Sequence, residues 1–175
     1  MKAWPACLLA LLLTACAGLP PPSPAALTLG PPLQRFIAEG RISLRQGGHS
    51  DHLRFRWEHT RESDAVLLMS PLGQGMAELT RDAGGARLTQ PNQAPVLAAS
   101  LALLAQRVTG APLPLEAMAD WLRGARPALS GEVDGWQVVI SDTTVLRRSR
   151  LLRVMEASRE DVGLKLIVDE WDAPE

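Results

Sequence analysis

Gly40-Arg41-Ile42-Ser43-Leu44-Arg45, then Gly47-Gly48, then His52-Leu53-Arg54-Phe55-Arg56-Trp57-Glu58: this stretch decides the fold class. Successive side chains of a strand point to opposite faces, so a strand buried on one side alternates apolar and polar residues. Ile42 and Leu44 face one way, with Arg41, Ser43 and Arg45 opposite. Leu53, Phe55 and Trp57 repeat the pattern, with His52, Arg54, Arg56 and Glu58 between and beside them. Helical geometry would scatter these five apolar side chains around an axis. Gly47-Gly48 supplies turn chemistry, and the connection is too short for a parallel crossover. The stretch reads as a hairpin of an antiparallel sheet.

Working outward, the strand pattern recurs at Ala65 to Ser70, Met76 to Arg81, Ala86 to Thr89, Trp136 to Asp142, Arg150 to Ala157 and Gly163 to Asp169. Asp82 to Gly85 and Ser158 to Gly163 are turn-forming stretches between them. Two segments switch to helical spacing. Leu97, Leu101, Leu104 and Val108 precede Gly110, a helix stop; Leu115, Met118 and Leu122 lie between Pro114 and Gly124. Leu33 to Glu39 reads as a third, weaker helix. The class is mainly β (α+β), with two or three helices packed on one side of an antiparallel sheet.

The N-terminus is addressing rather than fold. Lys2 precedes an apolar run from Ala6 to Leu13, far short of the roughly 20 residues needed to span a bilayer. Leu13-Thr14-Ala15-Cys16 resembles a lipobox, with residues 1–15 as signal peptide and Cys16 as the lipidated residue. Cys7 has too little sequence before it for that role. Cleavage before Cys16 leaves one cysteine in the mature chain, so neither an intramolecular disulfide nor a thiol metal site can form. Residues 16–32 carry Pro20, Pro21, Pro22, Pro24, Pro31 and Pro32, a polyproline II tether at about 3.1 Å per residue. Ala17, where an Asp would signal inner-membrane retention in lipoproteins of this type, favours the outer membrane. Residues 33–175 are long enough for one domain with a substantial core. The formal charge of −1 becomes more negative once Lys2 is lost, which gives no reason to invoke nucleic acid.

The sequence offers little chemistry. His49, His52 and His59 sit near Asp51 and Glu58 but match no strong metal-ligand spacing, and they read as exposed histidines. Ser70 lacks the glycine two residues earlier that a nucleophile elbow requires. Glu116 and Asp120 are one turn apart on a short helix, where charges mark a solvated face. Nothing supports an enzyme, a metal or a cofactor. Arg147, Arg148, Arg150, Arg153 and Arg159 form either a solvated strand face or a docking patch for an acidic partner. Ser70-Pro71-Leu72-Gly73 is unusual in another way. Pro71 presets φ and Gly73 tolerates positive φ, as a turn demands, yet an apolar Leu72 lies between them. Such a side chain is either tucked into the core or kept for an apolar partner.

These pieces, in order, resemble the LolB family of outer-membrane lipoproteins. The resemblance rests on Gly40-Arg41, Arg56-Trp57, Leu67-Leu68 before Ser70-Pro71-Leu72-Gly73, Leu104 to Val108, Thr109-Gly110, Pro112 and Pro114-Leu115. It continues through Trp121-Leu122, Gly124, Leu164-Lys165-Leu166, Asp169 and Trp171, nearly the whole mature chain behind a lipobox. It implies an unclosed antiparallel β-barrel capped by helices and enclosing an apolar cavity. It also implies acceptance of acylated lipoproteins from a LolA-type periplasmic carrier and their insertion into outer-membrane lipid. On this reading the domain works as a monomer, lipid-anchored on the periplasmic face. Leu72 carries the membrane-insertion role, supported by Pro71 and Gly73. Leu53, Phe55, Trp57, Leu101, Leu104, Met118 and Leu122 face the acyl-chain cavity; for Trp57 a purely structural core role is equally open. The competing reading is a non-transferring lipoprotein that scaffolds or binds a soluble partner.

Overall fold

The computed structural model describes residues 31–111, 113–126, 129–146 and 149–173. Its strands are β1 (Phe36–Gln46), β2 (His49–His59), β3 (Asp64–Met69), β4 (Gly75–Asp82), β5 (Gly85–Thr89), β6 (Val96–Ala98), β7 (Ser130–Val133), β8 (Trp136–Leu146), β9 (Ser149–Arg159) and β10 (Val162–Asp172). The helices α1 (Leu101–Thr109) and α2 (Leu115–Leu122) fall between β6 and β7. All ten strands form one sheet in the order β6-β5-β4-β3-β2-β1-β10-β9-β8-β7. Every pairing is antiparallel, and β6 and β7 do not pair with each other, so the barrel stays open.

The decisive hairpin forms in the expected register. Ile42 lies opposite Leu53, Gly40 opposite Phe55 and Ala38 opposite Trp57. Directly paired residues of antiparallel strands share a face, so this register puts all of them on the interior side. Two expectations need correction. Leu33 to Glu39 is not a helix: Phe36, Ala38 and Gly40 are buried while Ile37 and Glu39 are half-buried, a period of two. Phe36 to Glu39 pair with β2, and Ile37 to Glu39 also pair with β10, so partners on both sides override the local helical signal. Leu97 is not part of the first helix either. It sits in β6, 69% exposed, and α1 starts only after Ser100, whose hydroxyl accepts the Leu103 N–H. Gly110 closes α1 at φ 76, as expected, and Gly124 takes φ 79 just beyond α2.

The two helices carry the chain from one sheet edge to the other across the interior. α1 packs on β4, β5 and β6, α2 reaches β9, and the helices touch each other. Among the described residues no backbone hydrogen bond joins either helix to a strand, so side-chain packing alone holds them there. Leu101, Leu104, Met118, Trp121 and Leu122 merge with Phe55, Trp57, Leu79, Leu88, Trp136, Met155 and Leu166 in one buried cluster.

Gly40 is the point of closest approach in that arrangement. The β1–β10 register shifts between Glu39 and Gly40, and a Cβ at Gly40 would stand 1.9 Å from the Ile167 carbonyl oxygen and 3.0 Å from the Phe55 ring. Gly40→Ala therefore has to push β10 or Phe55 aside. It should lower the unfolding free energy by about 2 kcal/mol in urea titration. Unchanged stability would mean that β1 and β10 are free to separate there.

Candidate functional site

Ser70–Gln74 join β3 to β4 through a turn that holds itself together. The Gly73 N–H donates to the Ser70 carbonyl at 2.9 Å, and the Ser70 N–H to the Gln74 carbonyl at 2.8 Å. The Gln74 N–H also donates to the Ser70 hydroxyl at 3.2 Å, and Gly73 takes φ +85. None of these bonds uses the Leu72 side chain, which is 89% exposed. Of the two alternatives open for Leu72, the tucked one is excluded by this geometry. Met76, on the return strand, adds a second exposed apolar side chain. The turn is thus closed by its own hydrogen bonds and carries exposed hydrocarbon at its tip.

Of the seven residues expected to line an acyl-chain cavity, six lie in the buried cluster. Phe55 and Trp57 come from β2, Leu101 and Leu104 from α1, Met118 and Leu122 from α2, and all six are closed to solvent. Leu53 is only half-buried and packs against the edge of the cluster. Trp121, Trp136 and Met155 share the same interior without having been singled out from the sequence.

A buried carboxylate that sequence reasoning missed clips one end of this interior. Asp64 opens β3 at 3% exposure. One carboxylate oxygen accepts the Trp57 indole N–H at 3.0 Å and pairs with His59 Nδ1 at 2.7 Å. The other accepts Arg81 Nε at 3.0 Å and also binds Arg81 Nη2. Burial pushes the Asp64 pKa up, but the hydrogen bonds from His59, Trp57 and Arg81 outweigh it and hold the carboxyl below its ordinary range. His59 is accordingly not the exposed histidine expected; it also stacks on Phe36 at 4.9 Å. His49 and His52 are exposed. No sequence signal marks Asp64, because its partners are brought to it from the two flanking strands, Trp57 and His59 from β2 and Arg81 from β4.

The basic stretch divides. Arg147 and Arg148 lie outside the described residues. Arg150 donates to Thr143 and Arg153 to Asp142 at 3.3 Å, both across the β8–β9 pair, and Arg159 donates to the Asp134 carbonyl in the β7–β8 turn, so these three bond within their own sheet. Cys16, the signal peptide and the tether up to residue 30 also lie outside the described residues.

Comparison with known proteins places this geometry in context. A family model described as "Outer membrane lipoprotein LolB" matches residues 34–171. The outer-membrane lipoprotein LolB of Nitrosomonas europaea is 36% identical over 152 residues, covering 78% of this chain and 72% of that protein. Its counterpart from an Azoarcus species is 31% identical over 180 residues, covering 95% and 93%. Among solved structures, a LolA superfamily protein from Nitrosomonas europaea superposes with TM-score 0.56 at 9% identity, covering 84% of this chain and 89% of that one. A DUF1329 family protein from Desulfovibrio piger gives TM-score 0.57 at 10% identity, covering 81% and 86%. At such identities the structural likeness is one of fold alone.

Proposed function

This chain belongs to the LolB family of outer-membrane lipoproteins, and from that premise we propose that it takes acylated lipoproteins from a LolA-type periplasmic carrier and delivers them into outer-membrane lipid. The observation that carries this reading is Leu72, an 89% exposed leucine on a self-supporting turn, attached to a domain whose interior is apolar.

The need for such a device follows from magnitudes. Each CH₂ holds a lipid in a membrane by about 0.8 kcal/mol, so one chain of roughly sixteen carbons costs on the order of 12 kcal/mol to expose to water. An interior of Leu, Met, Phe and Trp removes most of that cost by keeping the chain dry. Because the helices hold to the sheet by packing alone, acyl chains enter when α1 and α2 swing off it, exposing Leu101, Leu104, Met118 and Leu122 on one side and Phe55 and Trp57 on the other. Asp64 keeps the Trp57 ring oriented while this happens.

The tether also has a mechanical part. The chain enters the domain beside α2 and the β2–β3 turn: Leu33 N–H bonds the Arg123 carbonyl, and Arg61 bonds Gln34. Leu72 lies past the other end of β3, about 17 Å away along that strand. Leu33 follows Cys16 by seventeen residues, and a chain of that length spans at most about 60 Å. A lipid on Cys16 therefore tethers the domain loosely enough for Leu72 to turn toward the bilayer.

The reading is tested by mixing the protein with a LolA-type carrier loaded with a labelled lipoprotein. The label should move to this protein, and then to liposomes added afterwards. Label that stays on the carrier would overturn the proposal and favour a scaffolding lipoprotein.

A further inference from the structure

On the outer face of the sheet, Pro71 walls a groove of about 350 Å³ also lined by Arg41, His52, Arg54, Lys165 and Ile167. The register explains why these residues meet. Arg41 stands opposite Arg54 across β1–β2 and opposite Ile167 across β1–β10, while Ser43 stands opposite both His52 and Lys165. Three strands thus bring three cations around one small apolar patch. Every charged residue lining the groove is basic. The carboxylates that serve two of these cations belong to the groove's surroundings and not to its lining: Asp169 receives Arg41 at 2.8 Å and Glu156 receives Lys165 at 2.9 Å. Arg54 makes no ion pair among the described residues. Asp169 accepts from both Nε and Nη2 of Arg41, which leaves Arg54, directly opposite Arg41 across β1–β2, as the arginine of the groove whose charge no carboxylate meets among the described residues.

We propose that this groove binds the phosphate headgroup of an anionic phospholipid in the membrane that the Leu72 turn contacts. The inference rests on the membrane-contact reading of Leu72, because Pro71 belongs to both surfaces: when the turn meets the interface, the groove beside it meets the headgroups. Arg54 takes the phosphate, and Ile167 with Pro71 covers the glycerol end of the lipid. The groove orients the domain on the leaflet, while Leu72 supplies depth.

The test uses the mature chain from residue 16 with Cys16→Ser, so that no acyl anchor contributes, and measures co-flotation with vesicles. Vesicles of phosphatidylcholine alone are compared with vesicles that also contain phosphatidylglycerol. Phosphatidylglycerol should strengthen binding, and Arg54→Ser should weaken that binding about fivefold, the effect of one interfacial cation. Arg54→Ser should leave binding to phosphatidylcholine unchanged. Arg87→Ser removes an exposed cation on β5 that does not line the groove, and it should keep the full gain. An equal loss in Arg87→Ser, or no loss in Arg54→Ser, would overturn the groove as a site. Inorganic phosphate at matched ionic strength should not displace the vesicles. Displacement that depends on Arg54 would make this a free-phosphate site and overturn the lipid assignment. Leu72→Glu reports separately on the premise: if it leaves phosphatidylcholine binding intact, membrane contact by the turn fails, whatever Arg54 does.

Discussion

Leu72→Glu is expected to fold like the parent, take up lipoprotein from the carrier at the parental rate, and lose at least ten-fold in delivery to liposomes. Folding is spared because the side chain is exposed and the turn is built from Ser70, Gly73 and Gln74 backbone bonds that it does not touch. Uptake is expected to be spared because Ser70–Gln74 contribute no residue to the buried cluster. Delivery suffers because burying a leucine in the interface gains about 1.5–3 kcal/mol, and a carboxylate forfeits that gain and resists desolvation as well. Such a gain is too small to anchor a protein, but it suffices to hold the Ser70–Gln74 end of the domain against the bilayer. Leu72→Ala should fall between the two. Unfolding of Leu72→Glu by circular dichroism would assign the side chain to the core. Normal delivery would reduce Ser70–Gln74 to an ordinary turn.

The second large effect is expected at Asp64. Asp64→Ala removes one buried carboxylate that satisfies Trp57, His59 and Arg81 together, leaving the indole N–H without its acceptor in a closed interior. Breaking a buried charged network costs about 3–5 kcal/mol. Arg81 is 35% exposed and recovers part of its share through water, so about 3 kcal/mol is expected in urea denaturation. The same carboxylate sets an acid limb to stability. Its pKa is lowered in the folded protein, so its contribution is fully present above the ordinary carboxylate value of about 4 and is lost as pH falls through the folded value. Asp64→Asn should flatten that limb as well as lower stability at neutral pH. A parental pH profile in the variant would show that other carboxylates govern acid unfolding.

The cost of Asp64 also bears on function. A buried carboxylate that hydrogen-bonds Trp57 fixes the orientation of a large ring on the sheet side of the interior, while the helices opposite are held by packing alone. One wall of the interior is thus tied by hydrogen bonds and an ion pair, the other by apolar packing. That division suits a member of the LolB family of outer-membrane lipoproteins.

Read alone, the sequence assigned the long strands and both helices to their class and gave the face of their side chains, but it took Leu33 to Glu39 for a helix and did not mark the short edge strands β6 and β7. Alternation in β1 and β2 put Ile42, Leu53, Phe55 and Trp57 on one side, and helical spacing brought Leu101, Leu104, Met118 and Leu122 into line, because both patterns follow from local backbone geometry. It also marked Ser70-Pro71-Leu72-Gly73 as a turn with an apolar tip. Tertiary structure decided what depends on neighbours distant in the chain. The pairing of β1 with β10 drew Phe36 to Glu39 into a strand and made Gly40 obligatory where Ile167 crosses it. The direction of Leu72 was settled by where the β3–β4 hairpin ends, and Asp64 became a buried anion only because β2 and β4 flank it with Trp57, His59 and Arg81. Periodicity encodes a face, but not which strand lies alongside or how closely, and charge satisfaction and contact distance depend on those two quantities.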